Sequence, residues 1–73
     1  MSHTVFAELV ANVLKVAASP GDIVTVGDTL VILESMKMEI PVIVEVGGRV
    51  AEIAVAEGDV ISEGDTIAVI ETA

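Results

Sequence analysis

Shifted by 37 positions, the sequence lays Glu8–Glu34 over Glu45–Glu71 without a gap, and nine of the 27 aligned pairs are identical. The identities include Val13/Val50, Ala17/Ala54, Gly21/Gly58, Asp22/Asp59, Gly27/Gly64, Asp28/Asp65 and Thr29/Thr66, and aliphatic swaps such as Val16/Ile53 and Leu30/Ile67 fill the spaces between them. Such a duplication sharply limits the possible folds. Two copies are too few for a solenoid, which needs about three or more repeats to bury its faces. The halves are therefore expected to clasp each other about a pseudo-two-fold axis and share one core. At 73 residues the chain suits a single domain spanning 1–73, with residues 1–3 expected as a flexible tail.

Each half carries the spacing Gly-Asp-x4-Gly-Asp, at Gly21-Asp22 with Gly27-Asp28 and at Gly58-Asp59 with Gly64-Asp65. Glycine supplies positive φ and aspartate bonds nearby backbone, so each pair marks a turn around a very short strand. A calcium loop would need a dense run of acidic ligands with a closing glutamate, and that run is missing. Between the turns lie apolar stretches at Thr4–Ala7, Val13–Ala17, Thr29–Ser35, Met38–Val44, Val50–Ala54 and Thr66–Glu71, with stubs near Ile23–Thr25 and Val60–Ser62. The spacing predicts about eight strands in an all-β sandwich or barrel. Fourteen Val and eight Ile against one aromatic residue agree with this, because β-branched side chains suit a pleated surface. Leu9–Ala18 also has helix-forming residues, but its repeat mate Val46–Val55 holds Gly47-Gly48 and four β-branched residues.

Three Lys+Arg against twelve Asp+Glu give a net charge of −9, which repels nucleic-acid and anionic membrane surfaces. Lys15, Lys37 and Arg49 are too scattered to form a basic patch. The longest stretch without a charged residue is Met1–Ala7, far short of the roughly 20 residues that span a bilayer. The first residues do not read as a secretion signal, so a cytoplasmic location is expected. Cysteine is absent, which removes disulfides, thiolate nucleophiles and thiolate metal sites, and no metal site is expected.

The copies leave a seam at Ser35-Met36-Lys37-Met38-Glu39, flanked on both sides by strand signals. This predicts a hairpin with Met36-Lys37 at its tip. Two-residue hairpin loops ask for Asn-Gly or Asp-Gly, since both central residues take positive φ. Met-Lys is the wrong chemistry for that conformation, which costs a non-glycine residue about 1–2 kcal/mol. A purely structural turn would avoid that cost and a functional site can retain it. Methionine beside a strand is ordinarily core filler and a single lysine ordinarily a solvated charge. Here the lysine sits midway through a duplicated acidic β-domain with methionine on both sides, as a carrier of an acylated amine would need.

At these residues the chain resembles the biotinyl/lipoyl attachment domains, and within them the biotin carboxyl carrier type. Glu34-Ser35-Met36-Lys37-Met38-Glu39 looks like the biotinyl attachment motif, and Gly21-Asp22, Gly27-Asp28, Gly48-x-Val50, Gly58-Asp59 and Gly64-Asp65 match the family's turn positions. The resemblance covers nearly the whole chain. It implies a flattened barrel of two four-stranded antiparallel sheets, a barrel-sandwich hybrid, with Lys37 at a hairpin tip opposite the chain ends. It also implies that biotin is joined by an amide to Lys37, after a biotin protein ligase has made biotinyl-adenylate. The loaded domain would then carry a carboxyl group between the biotin carboxylase and carboxyltransferase subunits of a biotin-dependent carboxylase. Met36 and Met38 would frame the cofactor and offer the ligase an apolar grip, while Glu34, Ser35 and Glu39 would serve its recognition. Lys15, in a strand-like run without flanking methionine, is expected to stay unmodified.

Two departures from the family pattern stand out. Ser35 replaces the common Ala before Met36, and Ala11 stands where Gly is frequent, with Asn12 beside it as a candidate left-handed residue. No inserted thumb or Pro/Ala linker is seen, so the chain reads as a free-standing, monomeric carrier. Lipoyl domains share the fold but typically place Asp before the lysine and Ala after it, so the methionine frame favours biotin. A lipoyl carrier of a dehydrogenase complex and an unmodified β-barrel scaffold are the alternatives. No catalytic residue is assigned: His3 is the sole histidine, and Ser35 has no base near it in sequence.

Overall fold

The structure, a computed structural model, describes residues 1–72. It contains eight strands: β1 (Ser2–Phe6), β2 (Ala11–Val16), β3 (Ile23–Val24), β4 (Thr29–Ser35), β5 (Met38–Ile43), β6 (Gly48–Ile53), β7 (Val60–Ile61) and β8 (Thr66–Glu71). They form two four-stranded antiparallel sheets, ordered β1-β8-β6-β3 and β5-β4-β2-β7. Adding 37 to each residue number turns the first-half strands β1 to β4 into β5 to β8, to within one residue at the ends of β5 and β8. Each sheet draws two strands from each half, so the duplicated segments interlock instead of folding side by side.

The core follows the same symmetry. Twelve of the fourteen buried apolar residues are repeat mates of one another: Ala7/Val44, Val13/Val50, Val24/Ile61, Leu30/Ile67, Val31/Ala68 and Leu33/Ile70. Leu30 and Ile67, both fully buried, are skipped in the pairing of β4 with β5 and of β8 with β1, where the register shifts. Such a bulge places two residues opposite one, which lets Leu30 reach the interior together with its neighbour Val31.

Four turns close the barrel in the same way. In Ser19–Asp22, Thr25–Asp28, Ala56–Asp59 and Ser62–Asp65 the aspartate N–H donates to the carbonyl of the first turn residue, at 3.0–3.1 Å. The same aspartate's Oδ2 accepts the N–H of that first residue at 2.8–2.9 Å. The glycine before each aspartate has φ of 91–99°, a conformation that favours glycine. Its N–H then reaches across the duplication: Gly21 donates to Val50, Gly58 to Val13, Gly27 to Val44 and Gly64 to Ala7. The repeated Gly-Asp pairs thus shape the turns and also bind each half to the other.

Two expectations are corrected. Ser2 and His3 are not a loose tail, for they pair with Glu71 and Ile70 in β1–β8. Asn12 is an extended strand residue paired with both Glu34 and Val60, and among the described residues the non-glycine ones with positive φ are Met36 and Lys37. Leu9–Ala18 holds strand β2, as its repeat mate implied and not the helix its composition also allowed, with Ala11 and Val13 alternating inward against solvent-facing Asn12 and Leu14.

Candidate functional site

The hairpin between β4 and β5 pairs Ser35 with Met38 and Glu34 with Glu39, leaving a loop of Met36 and Lys37 alone. Their φ values are 54° and 65°, the left-handed pair demanded by a tight loop that matches the strands' twist. Because side chains alternate along a strand, each cross-strand pair shares a face. Ser35 and Met38 share one, and Glu34 and Glu39 share the other. Directly opposed like charges destabilise a strand pair, so the hairpin base carries a second local conflict beside the strained tip.

Lys37 is exposed, Met36 is 91% exposed and Met38 64%. Glu39 is exposed, whereas Glu34 and Ser35 are half-buried where β4 lies between β5 and β2. Among the described residues, none of the side-chain hydrogen bonds involves Lys37. The amine therefore stands in solvent on a short stiff support, with two thioethers beside it. An accessible primary amine is the group that an amide-linked carboxylic acid requires, and the exposed methionines supply apolar surface on which a partner can close.

The hairpin tip points away from the chain ends. The Glu34 end of β4 lies beside Asn12, whose other neighbour Val60 in β7 leads into the turn that begins β8. The Glu71 end of β8 lies beside Arg49, itself paired with Ile23, next to the turn that begins β4. β4 and β8 consequently run in opposite senses through a molecule 36 Å long and 17–19 Å across. The sequence reading missed Asn12 as a support for the hairpin base. Its repeat mate Arg49 holds the equivalent place against Glu71, a signal present in the duplication.

The six residues expected at the site thus lie together in one hairpin. Lys15 lies elsewhere, within β2 and opposite Ile32 of β4. Among the described residues no group of three or more His, Cys, Asp or Glu side chains is placed to hold a metal ion. A hollow of about 270 Å³ opens between β1 and β5, lined mainly by Val5, Phe6, Leu9, Leu33 and Ile40, with Glu8 and Glu45 at its side. These residues offer no nucleophile paired with a base.

Fold and hairpin together define a carrier domain: a two-fold-symmetric barrel that displays Lys37 at a hairpin tip, with no catalytic constellation around it among the described residues. A family model described as Biotin-requiring enzyme matches residues 3–70, and the chain belongs to that biotin/lipoyl family. It is 58% identical over 48 residues to the Biotinylated protein TB7.3 homolog of Mycobacterium leprae, a stretch covering 66% of this chain and 68% of that protein. Kluyveromyces lactis urea carboxylase contains a similar fold, with a TM-score of 0.90 and 34% identity over 97% of this chain. The chain spans only 6% of that carboxylase. The lipoyl domain of the 2-oxoglutarate dehydrogenase complex from Azotobacter vinelandii, at 24% identity and a TM-score of 0.81, shares the fold over 94% of this chain and 95% of its own.

Proposed function

We propose that this chain is a biotin carboxyl carrier, loaded on Lys37 by a separate biotin protein ligase and serving a biotin-dependent carboxylase in the cytoplasm. The observation that carries this reading is the Met36-Lys37 loop: an exposed amine on a strained turn, framed by two exposed methionines, in a member of the biotin/lipoyl family. Loading joins the lysine to an activated acyl group held by the ligase. The ligase takes the ammonium proton, the Nζ lone pair attacks the acyl carbon, the activating group leaves and an amide remains. Neutralising the lysine moves the formal charge from −9 to −10.

Biotin, when bound, supplies a carrier atom for a carboxyl group passing between two active sites on other chains. Everything else falls to the hairpin. Strands β4 and β5 fix the direction of the arm, and Met36 and Met38 give partners an adaptable apolar contact. The Glu34 and Glu39 carboxylates orient the approaching tip by charge. Lys15 is passed over because it lies within strand β2, paired with Ile32 of β4, and no turn projects it from the barrel as the hairpin projects Lys37.

Co-expression with a biotin ligase followed by streptavidin blotting tests the reading. Wild-type protein is expected to give signal, and Lys37→Arg to abolish it while Lys15→Arg retains it. Signal that persists in Lys37→Arg, or none in the wild type, refutes the assignment. Intact mass of native material separates biotinyl from lipoyl addition.

A further inference from the structure

All three methionines are surface residues, although the interior is packed with aliphatic side chains into which methionine would fit. Met1 is 94% exposed, Met36 91% and Met38 64%, while the buried set consists of Val, Leu, Ile and Ala. The chain also lacks Cys, Trp and Tyr. Its thioethers are therefore its principal targets for two-electron oxidants, with no thiol to divert the reaction. Two of the three stand on either side of Lys37, and the third lies at the far end of the barrel against Thr72.

We infer that Met36 and Met38 form a peroxide-sensitive modification site whose oxidation reversibly closes the hairpin to partners. The inference rests on the proposed loading of Lys37. In the forward step a thioether sulfur attacks one oxygen of hydrogen peroxide. The O–O bond breaks, an S–O bond forms, sulfur loses two electrons and water leaves. In the reverse step a methionine sulfoxide reductase returns those electrons from a dithiol, which becomes a disulfide as water is released. A sulfoxide is polar and chiral, so it removes the adaptable apolar contact that the thioether offers. The fold should survive, since neither residue belongs to the core or packs against it. Met36, the more exposed of the pair, should react first.

The test begins with untreated protein and a biotin ligase, so that failure of Lys37 loading is seen separately as failure of the parent reading. Protein treated with hydrogen peroxide is then mapped by peptide mass spectrometry, checked by circular dichroism and assayed for its initial rate of biotinylation. The expected result is one added oxygen each on Met36 and Met38, an unchanged β spectrum, and loading slowed about tenfold. Reductase treatment should restore the rate. A Met36→Leu/Met38→Leu variant should show equal rates before and after peroxide, although Met1 is still oxidised. Equal loading of oxidised and untreated wild type, loss of the fold, failure of Met36 and Met38 to react, or persistent sensitivity in the double variant would each overturn the inference.

Discussion

Replacing Met36-Lys37 with Asn-Gly should stabilise this domain while removing Lys37, the proposed acceptor. Both loop residues have left-handed backbone, with φ of 54° and 65°, and such a conformation costs an ordinary residue about 1–2 kcal/mol. The two together store about 2–4 kcal/mol. Asn tolerates this region and Gly adopts it freely, although Gly returns about 0.5–1 kcal/mol through the entropy of the unfolded chain. Met36 and Lys37 are exposed, so little packing is lost with them. The net gain should be about 1.5 kcal/mol, which for a domain of this size raises Tm by roughly 6–12 °C. With no Trp or Tyr to report by fluorescence, the melt is followed by far-ultraviolet circular dichroism or calorimetry. Met36→Asn alone keeps the amine and should show about half the gain, with slower loading, so stability and loading move in opposite directions. A midpoint that stays level or falls would refute the assignment of strain to this loop.

Other positions yield separate tests. A Cβ at Gly48 would collide with the Glu71 carbonyl and come within 3.1 Å of Ile70 Cγ2. Gly48→Ala should therefore cost about 1–2 kcal/mol in a urea titration. Asp28→Ala should cost more than Asp22→Ala, by about 0.5–1.5 kcal/mol. Asp28 Oδ2 accepts both the N–H and the hydroxyl of Thr25, at 2.8 and 3.3 Å, whereas Asp22 accepts only the Ser19 N–H. Glu39→Gln should raise stability by about 0.2–1 kcal/mol, by relieving the charge directly opposite Glu34, and the gain should shrink as salt is added.

Much of this architecture was legible because the duplication constrains register as well as composition. Predicted strands Thr29–Ser35 and Thr66–Glu71 agree with β4 and β8 to the residue, since each begins directly after a Gly-Asp turn and runs to or just past the repeated glutamate, Glu34 or Glu71. The site was readable by counting: a two-residue loop at Met36-Lys37 forces Ser35 opposite Met38 and Glu34 opposite Glu39. What escaped the sequence reading depends on contacts between distant segments. His3 looks like tail because its strand has no local turn before it, and it is ordered by pairing with Ile70 from the other end of the chain. Asn12 suggests a turn by its own preferences, yet β4 and β7 on either side draw it into an extended strand. The bulges at Leu30 and Ile67 are likewise invisible to simple alternation, because each is set by the strand opposite.

The symmetry also explains why the lysine belongs at the seam. The barrel has two equivalent tips, one closed by Met36-Lys37 and the other formed where the chain ends meet. At that second tip Thr72 N–H donates to the Met1 carbonyl at 2.6 Å, the Thr72 hydroxyl donates to the same oxygen at 3.0 Å, and the Met1 ammonium reaches the Thr72 carbonyl at 3.3 Å. These bonds imitate a hairpin without a covalent link between the strands, and unlinked ends fray at little cost. An amine displayed there would wander as the ends opened. At the covalently closed tip, two left-handed residues leave the loop few alternative conformations, and β2 braces the half-buried base at Glu34. A carrier must present its arm in a defined direction to more than one foreign active site, and of two tips built from the same repeat only the closed one supplies that stiffness.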